Sequence, residues 1–141
     1  MQYDPLKLEN QLCFPLYASA REVVKKYKPF LDKIGLTYTQ YIAMMVLWEN
    51  KSINVKSLGE CLYLDSGTLT PLLKKLEAQG LVARARSAED ERNLIVTLTD
   101  KGEALKQEAL HIPEEIGKCI NITQEDAQTL YRILYQILGN L

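Results

Sequence analysis

The chain has 141 residues, 47% hydrophobic and 25% charged, with a formal net charge of −1. That length suits one domain with a real core, and no apolar run approaches the roughly 20 residues that span a bilayer. A net charge near zero gives no sign of a nucleic-acid partner.

The opening MQYDPLKLEN is polar and mixed in charge, unlike a secretory signal. Cys13, Cys61 and Cys119 lie far apart, there is no CxxC pair, and His111 is the one histidine. A tetrahedral zinc site would be hard to assemble, and no metal or cofactor is expected. An odd number of cysteines without a signal points to free thiols in a reducing cytoplasm.

The first helix is predicted from the stripe Cys13, Tyr17, Ala20, Val24, Tyr27 and Leu31, which steps by four and three. Pro15 is tolerable only near a helix start, Pro29 should bend or end the helix, and Gly35 is a stop. Thr37 can cap a second helix through TQYIAMMVLWEN, with Tyr41, Met44, Met45 and Trp48 among its apolar positions. A short helix fits VKSLGECLY, where Cys61 reads as packing. In LDSGTLTPLLKKLEAQG, Asp65 or Ser66 caps a helix with a stripe of Leu69, Leu72, Leu73 and Leu76, and Gly80 closes it.

Two β-like runs, LVARAR (81–86) and NLIVTLT (93–99), flank the polar SAEDER and read as a hairpin. Thr99 begins a helix that Pro113 interrupts. A last helix starts near Thr123, with the stripe Ala127, Leu130, Leu134, Ile137 and Leu141. The order is that of a winged helix-turn-helix, mainly α with a small β-hairpin wing, extended by helices at both ends.

The pair 55–62 and 66–79 can place its second helix in a major groove. Ser66, Thr68 and Thr70 would offer hydroxyls to phosphates or base edges, and Lys74 and Lys75 would add charge. Pro71 falls within the first turns. Residues 54–98 hold six basic and six acidic side chains, so a DNA surface needs its cations sorted to one side. Arg84, Arg86 and Arg92 are placed at or near the hairpin tip. An arginine there can enter a narrow minor groove, and Asp90 can brace Arg92.

DSGTLTPLLKKLEAQGLVAR followed by EDERNLIVTLTDKG resembles the MarR family of dimeric winged-helix transcription regulators. The segments LENQLCF, LYAS, YKPFLDK, TYTQY and LDSGTLTP are similar to its organic-hydroperoxide-responsive, thiol-sensing branch. The resemblance implies a homodimeric, non-enzymatic cytoplasmic repressor formed by one domain over 1–141. Residues 1–36 and 105–141 would supply dimerisation helices, and 37–104 the DNA-binding lobe. It would hold a pseudo-palindromic double-stranded operator when reduced and release it when an organic hydroperoxide oxidises Cys13.

The resemblance also assigns Ser66, Thr68, Thr70 and Lys74 to the major groove, Arg92 with Asp90 to the minor groove, and Arg84 and Arg86 to phosphates. It implies that Tyr27 and Tyr38 hydrogen-bond the Cys13 sulfur. Cys13 and Tyr27 are 14 residues apart on one stripe, about 21 Å along a helix, so such a bond would come from the partner subunit or across a sharp bend. Cys119 would be a resolving thiol on that partner, or a low-molecular-weight thiol would cap the oxidised sulfur. Read alone, Cys13 is a small buried hydrophobe. An alternative within the family is release by a small phenolic or apolar ligand, with Tyr17, Tyr38, Met44 and Trp48 lining its pocket and Cys13 structural.

Overall fold

The computed structural model describes residues 2–139. A short 3₁₀ turn at Leu8–Asn10 leads into α1 (Cys13–Asp32), α2 (Tyr38–Asn50), β1 (Ser52–Asn54), α3 (Val55–Leu62), α4 (Ser66–Ala78), β2 (Val82–Arg86), β3 (Leu94–Leu98), α5 (Asp100–Ala109), α6 (Ile112–Cys119) and α7 (Gln124–Gly139). The strands form one antiparallel sheet in the order β1-β3-β2.

The hairpin is therefore half of a larger object. Strand β1 had no separate signal, because SIN is too short to show alternation. It pairs Ile53 with Val96, and the Ser52 and Thr97 hydroxyls lie 3.0 Å apart across the strands.

Local chemistry accounts for the helix boundaries. Thr37 and Gln40 form a reciprocal capping box, the Thr37 hydroxyl accepting from Gln40 N–H and Gln40 Oε1 from Thr37 N–H. Asn54, Asp65 and Thr99 cap α3, α4 and α5 by the same kind of bond. Gly35 and Gly80 take φ of +71° and +78°. Each lets the next N–H reach back to its helix, Leu36 to the Leu31 carbonyl and Leu81 to the Leu76 carbonyl.

Three prolines test the sequence reading. Pro15 is the third residue of α1, where no N–H is needed. Pro29 does not end α1, which runs on to Asp32. Its ring is exposed, and the carbonyl of Lys25, its lost partner, can turn to water. Pro71 is the sixth residue of α4, beyond the first turn, so the Gly67 carbonyl lacks its helical donor.

The core lies between α2, α4, the sheet and the ends of α1 and α6. Met44, Leu47, Leu58, Leu73, Leu76, Val96 and Ile112 are completely buried. Met45, expected with them, is exposed. Trp48 Nε1 donates to the Gly102 carbonyl at 2.9 Å, which satisfies its one polar atom.

The two end helices are different. In α1 Leu31 alone is fully buried, and Cys13, Tyr17, Ala20 and Val24 of the predicted stripe are exposed. None of the described residues of α7 is buried. Its stripe members Ala127, Leu130 and Ile137 face outward, Leu134 is half-buried, and Leu141 lies outside the described residues. The apolar stripes run along both helices, but a single chain does not cover them.

Candidate nucleic-acid interface and thiol site

Helix α4 follows the tight turn after α3. Tyr63 makes that turn in the left-handed region, at φ +56°. The Asp65 carboxylate accepts from Thr68 N–H at 2.8 Å. Its hydrogen bonds with the Thr68 hydroxyl and backbone hold it below the usual carboxylate range. Asp65 is therefore occupied as the cap. The first-turn N–H groups of Ser66 and Gly67 have no acceptor inside the helix. Ser66, Thr68, Lys74 and Lys75 are exposed, and Thr70 is half-buried. Ser66 and Arg92 line one groove of about 730 Å³, with Lys56, Glu60 and Tyr63 along its wall. The helix start and the wing are thus presented on the same face.

The wing arginines divide. The Arg92 side chain stands in solvent, 92% exposed. Asp90 Oδ1 accepts from its backbone N–H at 3.0 Å and its Nε at 3.3 Å, so one carboxylate both folds the loop and aims the guanidinium. Arg86 is exposed at the end of β2 and donates to the Glu91 carbonyl. Arg84 departs from expectation. It sits mid-strand opposite Val96, away from the tip, and is half-buried. Glu77 Oε2 accepts from Arg84 N–H at 3.0 Å and Glu77 Oε1 from Nη2 at 3.2 Å. This pairing holds the Glu77 carboxyl below its usual range.

Glu77 belongs to no DNA-contact motif in the sequence. The available signal was its position: a carboxylate in the last turn of a helix opposes the macrodipole and calls for a cationic partner. Turning Arg84 and Glu77 toward each other also answers the charge-sorting question. Their charges cancel beside α4, while Lys74, Lys75, Arg86 and Arg92 remain outward.

Cys13 is the first residue of α1. Leu12 before it already has helical φ and ψ and makes no side-chain cap. The thiol therefore stands beside N–H groups that have no acceptor inside the helix. Cys13 is free and exposed, so the buried-hydrophobe reading does not hold in the single chain. A shallow hollow of about 520 Å³ is lined by its neighbours Gln11, Phe14 and Pro15 together with Lys7, Leu8 and Glu9. Cys61 is also exposed, which corrects its reading as a packed residue, and Cys119 is exposed at the last position of α6.

Tyr27 and Tyr38 come together, their ring centroids 4.9 Å apart, with Tyr41 within 5.8 Å of Tyr27. Burial, then the neighbouring Tyr38, pushes the Tyr27 phenol above its ordinary range, so it stays a proton donor. Cys13 is not part of this cluster. It lies at the opposite end of α1, about 21 Å away along the helix. The residues of the alternative ligand pocket also separate: Met44 and Trp48 are core, while Tyr17 is exposed with the Arg21 guanidinium 5.4 Å from its ring centre. Among the described residues no cluster of three or more His, Cys, Asp or Glu could hold a metal, and no helix is long and apolar enough to cross a membrane.

A family model described as transcriptional regulator SarA/Rot matches residues 25–109. A curated organic hydroperoxide resistance transcriptional regulator from Bacillus subtilis (strain 168) is 52% identical over 140 residues, covering 99% of this chain and 95% of that protein. The chain belongs to the MarR family of winged-helix transcription regulators, in its organic-hydroperoxide-resistance branch.

Among solved structures, reduced AbfR bound to DNA is 38% identical, with a TM-score of 0.78 over 94% of this chain and 93% of that one. AbfR, from Staphylococcus epidermidis, is also known overoxidised on DNA, with the same TM-score, and in a disulfide-formed state. The disulfide-formed structure, equally 38% identical and covering 94% of this chain and 90% of that one, scores 0.64. The backbone here is thus nearer to the DNA-bound forms of AbfR than to its disulfide form.

Proposed function

We propose that the chain is a redox-sensing, DNA-binding transcriptional repressor of the cytoplasm, active as a homodimer through α1 and α6–α7. The carrying observation is the position of Cys13: exposed, first in an uncapped helix, on a bare apolar face, and remote from the paired phenols of its own chain. A two-fold partner laid along α1 would bring Tyr27 and Tyr38 of the partner subunit to this sulfur.

Reduced, the dimer holds a double-stranded operator. Ser66, Thr68, Thr70 and Lys74 work in the major groove, Arg92 braced by Asp90 in the minor groove, and Lys75 and Arg86 against phosphates. Arg84 serves as the partner of Glu77 instead. The signal is an organic hydroperoxide. The Cys13 thiolate attacks one oxygen of ROOH, the O–O bond breaks, and after proton uptake ROH leaves with a sulfenic acid on Cys13. Cys119 of the partner subunit, or a low-molecular-weight thiol, then attacks that sulfur. An S–S bond forms and water departs.

The disulfide is the releasing species in this reading. It fits a relative known on DNA both reduced and overoxidised, and separately in a disulfide form. The protein consumes one hydroperoxide per thiol and acts as a switch, not as an enzyme. Fluorescence anisotropy tests this on an operator duplex selected by the reduced protein from a random-sequence pool. Cumene hydroperoxide should release wild type and leave Cys13→Ser bound. Wild type that stays bound under oxidant refutes the sensing reading. Release of Cys13→Ser by a phenolic ligand would favour the ligand-sensing alternative.

A further inference from the structure

The carboxyl end of α4 is tied to three other elements. Gln79 Nε2 donates to the Gly35 carbonyl at 2.7 Å, in the turn that closes α1. Lys101 Nζ, from α5, donates to the Gln79 carbonyl at 2.8 Å, and the Thr99 hydroxyl to the Gly80 carbonyl at 2.6 Å. Glu77, two residues earlier, holds β2. The lysine bond satisfies a helix-end carbonyl, as a last-turn cation ordinarily does. The Gln79 bond is of another kind. It spans 44 residues of sequence, donates a side-chain amide rather than using the helix's own groups, and leaves Gln79 Oε1 buried without a protein partner. A helix that only needed a cap would not require it.

Its other end is significant. Gly35 is held in the left-handed region at φ +71°, and Leu36 and Gly35 N–H groups bond back to the Leu31 and Asp32 carbonyls. The Gly35 carbonyl therefore moves with α1. Helix α1 is 20 residues long, about 30 Å, and carries Cys13 at its first position and Tyr27 near its last turns. Whatever tilts or shifts that rod at the thiol end displaces Gly35.

We infer that Gln79 is a positioning residue for release: its amide links the end of the sensor helix to the end of the recognition helix. This inference rests on the redox-repressor reading and specifies how the two sites are connected. Coupling of this sort is a difference of free energies between two states, so removing the link should change the response to oxidant far more than reduced-state affinity.

The test uses the full-length dimer and the same selected operator duplex, with Kd measured before and after cumene hydroperoxide. Wild type and Cys13→Ser set the scale. Gln79→Ala should bind within about threefold of wild type when reduced, and its oxidant-induced weakening should shrink about five- to tenfold, the scale of one directional hydrogen bond. Gln79→Lys keeps an N–H donor and should recover the response. If Gln79→Ala does not fold, as read by circular dichroism, Gln79→Glu replaces it, with matched length and no donor. A wild-type response in the donor-free variant overturns the inference, as does a loss in Gln79→Lys equal to that in Gln79→Ala. Failure of wild type to release overturns the redox reading instead.

Discussion

The lobe over 37–104 and the two end segments, the first half of α1 and α7, together called the pole, differ in how far one chain satisfies them. In the lobe every helix start has a capping side chain, the one tryptophan has an acceptor, and the leucines of α4 are buried. At the pole α1 starts without a cap, Leu12 and Phe14 are exposed, and α7 leaves Leu130, Tyr131, Ile133 and Tyr135 outside. The lobe is a finished object; the pole awaits a second surface. Cys13, exposed beside that uncapped helix start, lies in the unfinished part.

The largest expected effect comes from denying the pole its partner. Leu130→Glu combined with Ile133→Glu puts charge on the bare face of α7. Sedimentation should show monomer at micromolar concentration, and operator affinity should fall by about 100-fold as two half-sites cease to be bound together. Folding of the lobe should persist by circular dichroism. An intact dimer would mean that α7 is not part of the interface.

The next effect concerns the lobe. A Cβ on Gly102 would overlap the Leu81 carbonyl and the Leu98 side chain, both against the core. Gly102→Ala should cost about 3 kcal/mol, read as a drop in melting temperature of roughly 10 °C. Dimerisation should be spared. An unchanged melt would show that α5 can move away from β2, and that the lobe is looser than its packing indicates.

A smaller effect separates specific from general contacts on the DNA face. Arg92→Ala should weaken operator binding by roughly 10- to 100-fold, and Asp90→Ala by less, since it removes only the brace. Lys75→Ala should lower the slope of log Kd against log salt by about 1 while leaving sequence preference alone. Arg84→Ala, unlike these, should act on stability rather than on the salt slope. A salt-slope change at Arg84 would return it to the phosphate contacts.

The two regions also differed in how legible they were. The lobe could be read because its determinants are local: Thr37 and Asp65 precede helices, Gly80 follows one, and Asp90 lies two residues from Arg92. What escaped was non-local. The strand Ser52–Asn54 exists because β3 offers it an edge, and Arg84 was misplaced because Glu77, seven residues away, draws it inward. At the pole periodicity marks apolar stripes on α1 and α7, but it measures what is apolar and not what covers it. Cys61 failed for the same reason: an apolar neighbourhood in sequence did not become one in space.

The smallest expected effect is a pH dependence that tests the Glu77–Arg84 brace. The Glu77 carboxyl is depressed by hydrogen bonds from the Arg84 guanidinium and backbone. For an acid with a lowered folded-state pKa, the stabilisation is complete above the unfolded carboxylate range, near 4.3, and is lost as pH falls through the folded value. Wild type should therefore melt above Glu77→Gln at pH 7, with the gap closing as the buffer is taken below pH 4. Because Gln keeps an acceptor for the Arg84 backbone N–H, the difference isolates the charged half of the brace. A gap that stays constant down to pH 3 would mean that the pair contributes through packing alone, and that the charge of the Glu77 carboxylate does not hold the wing to α4.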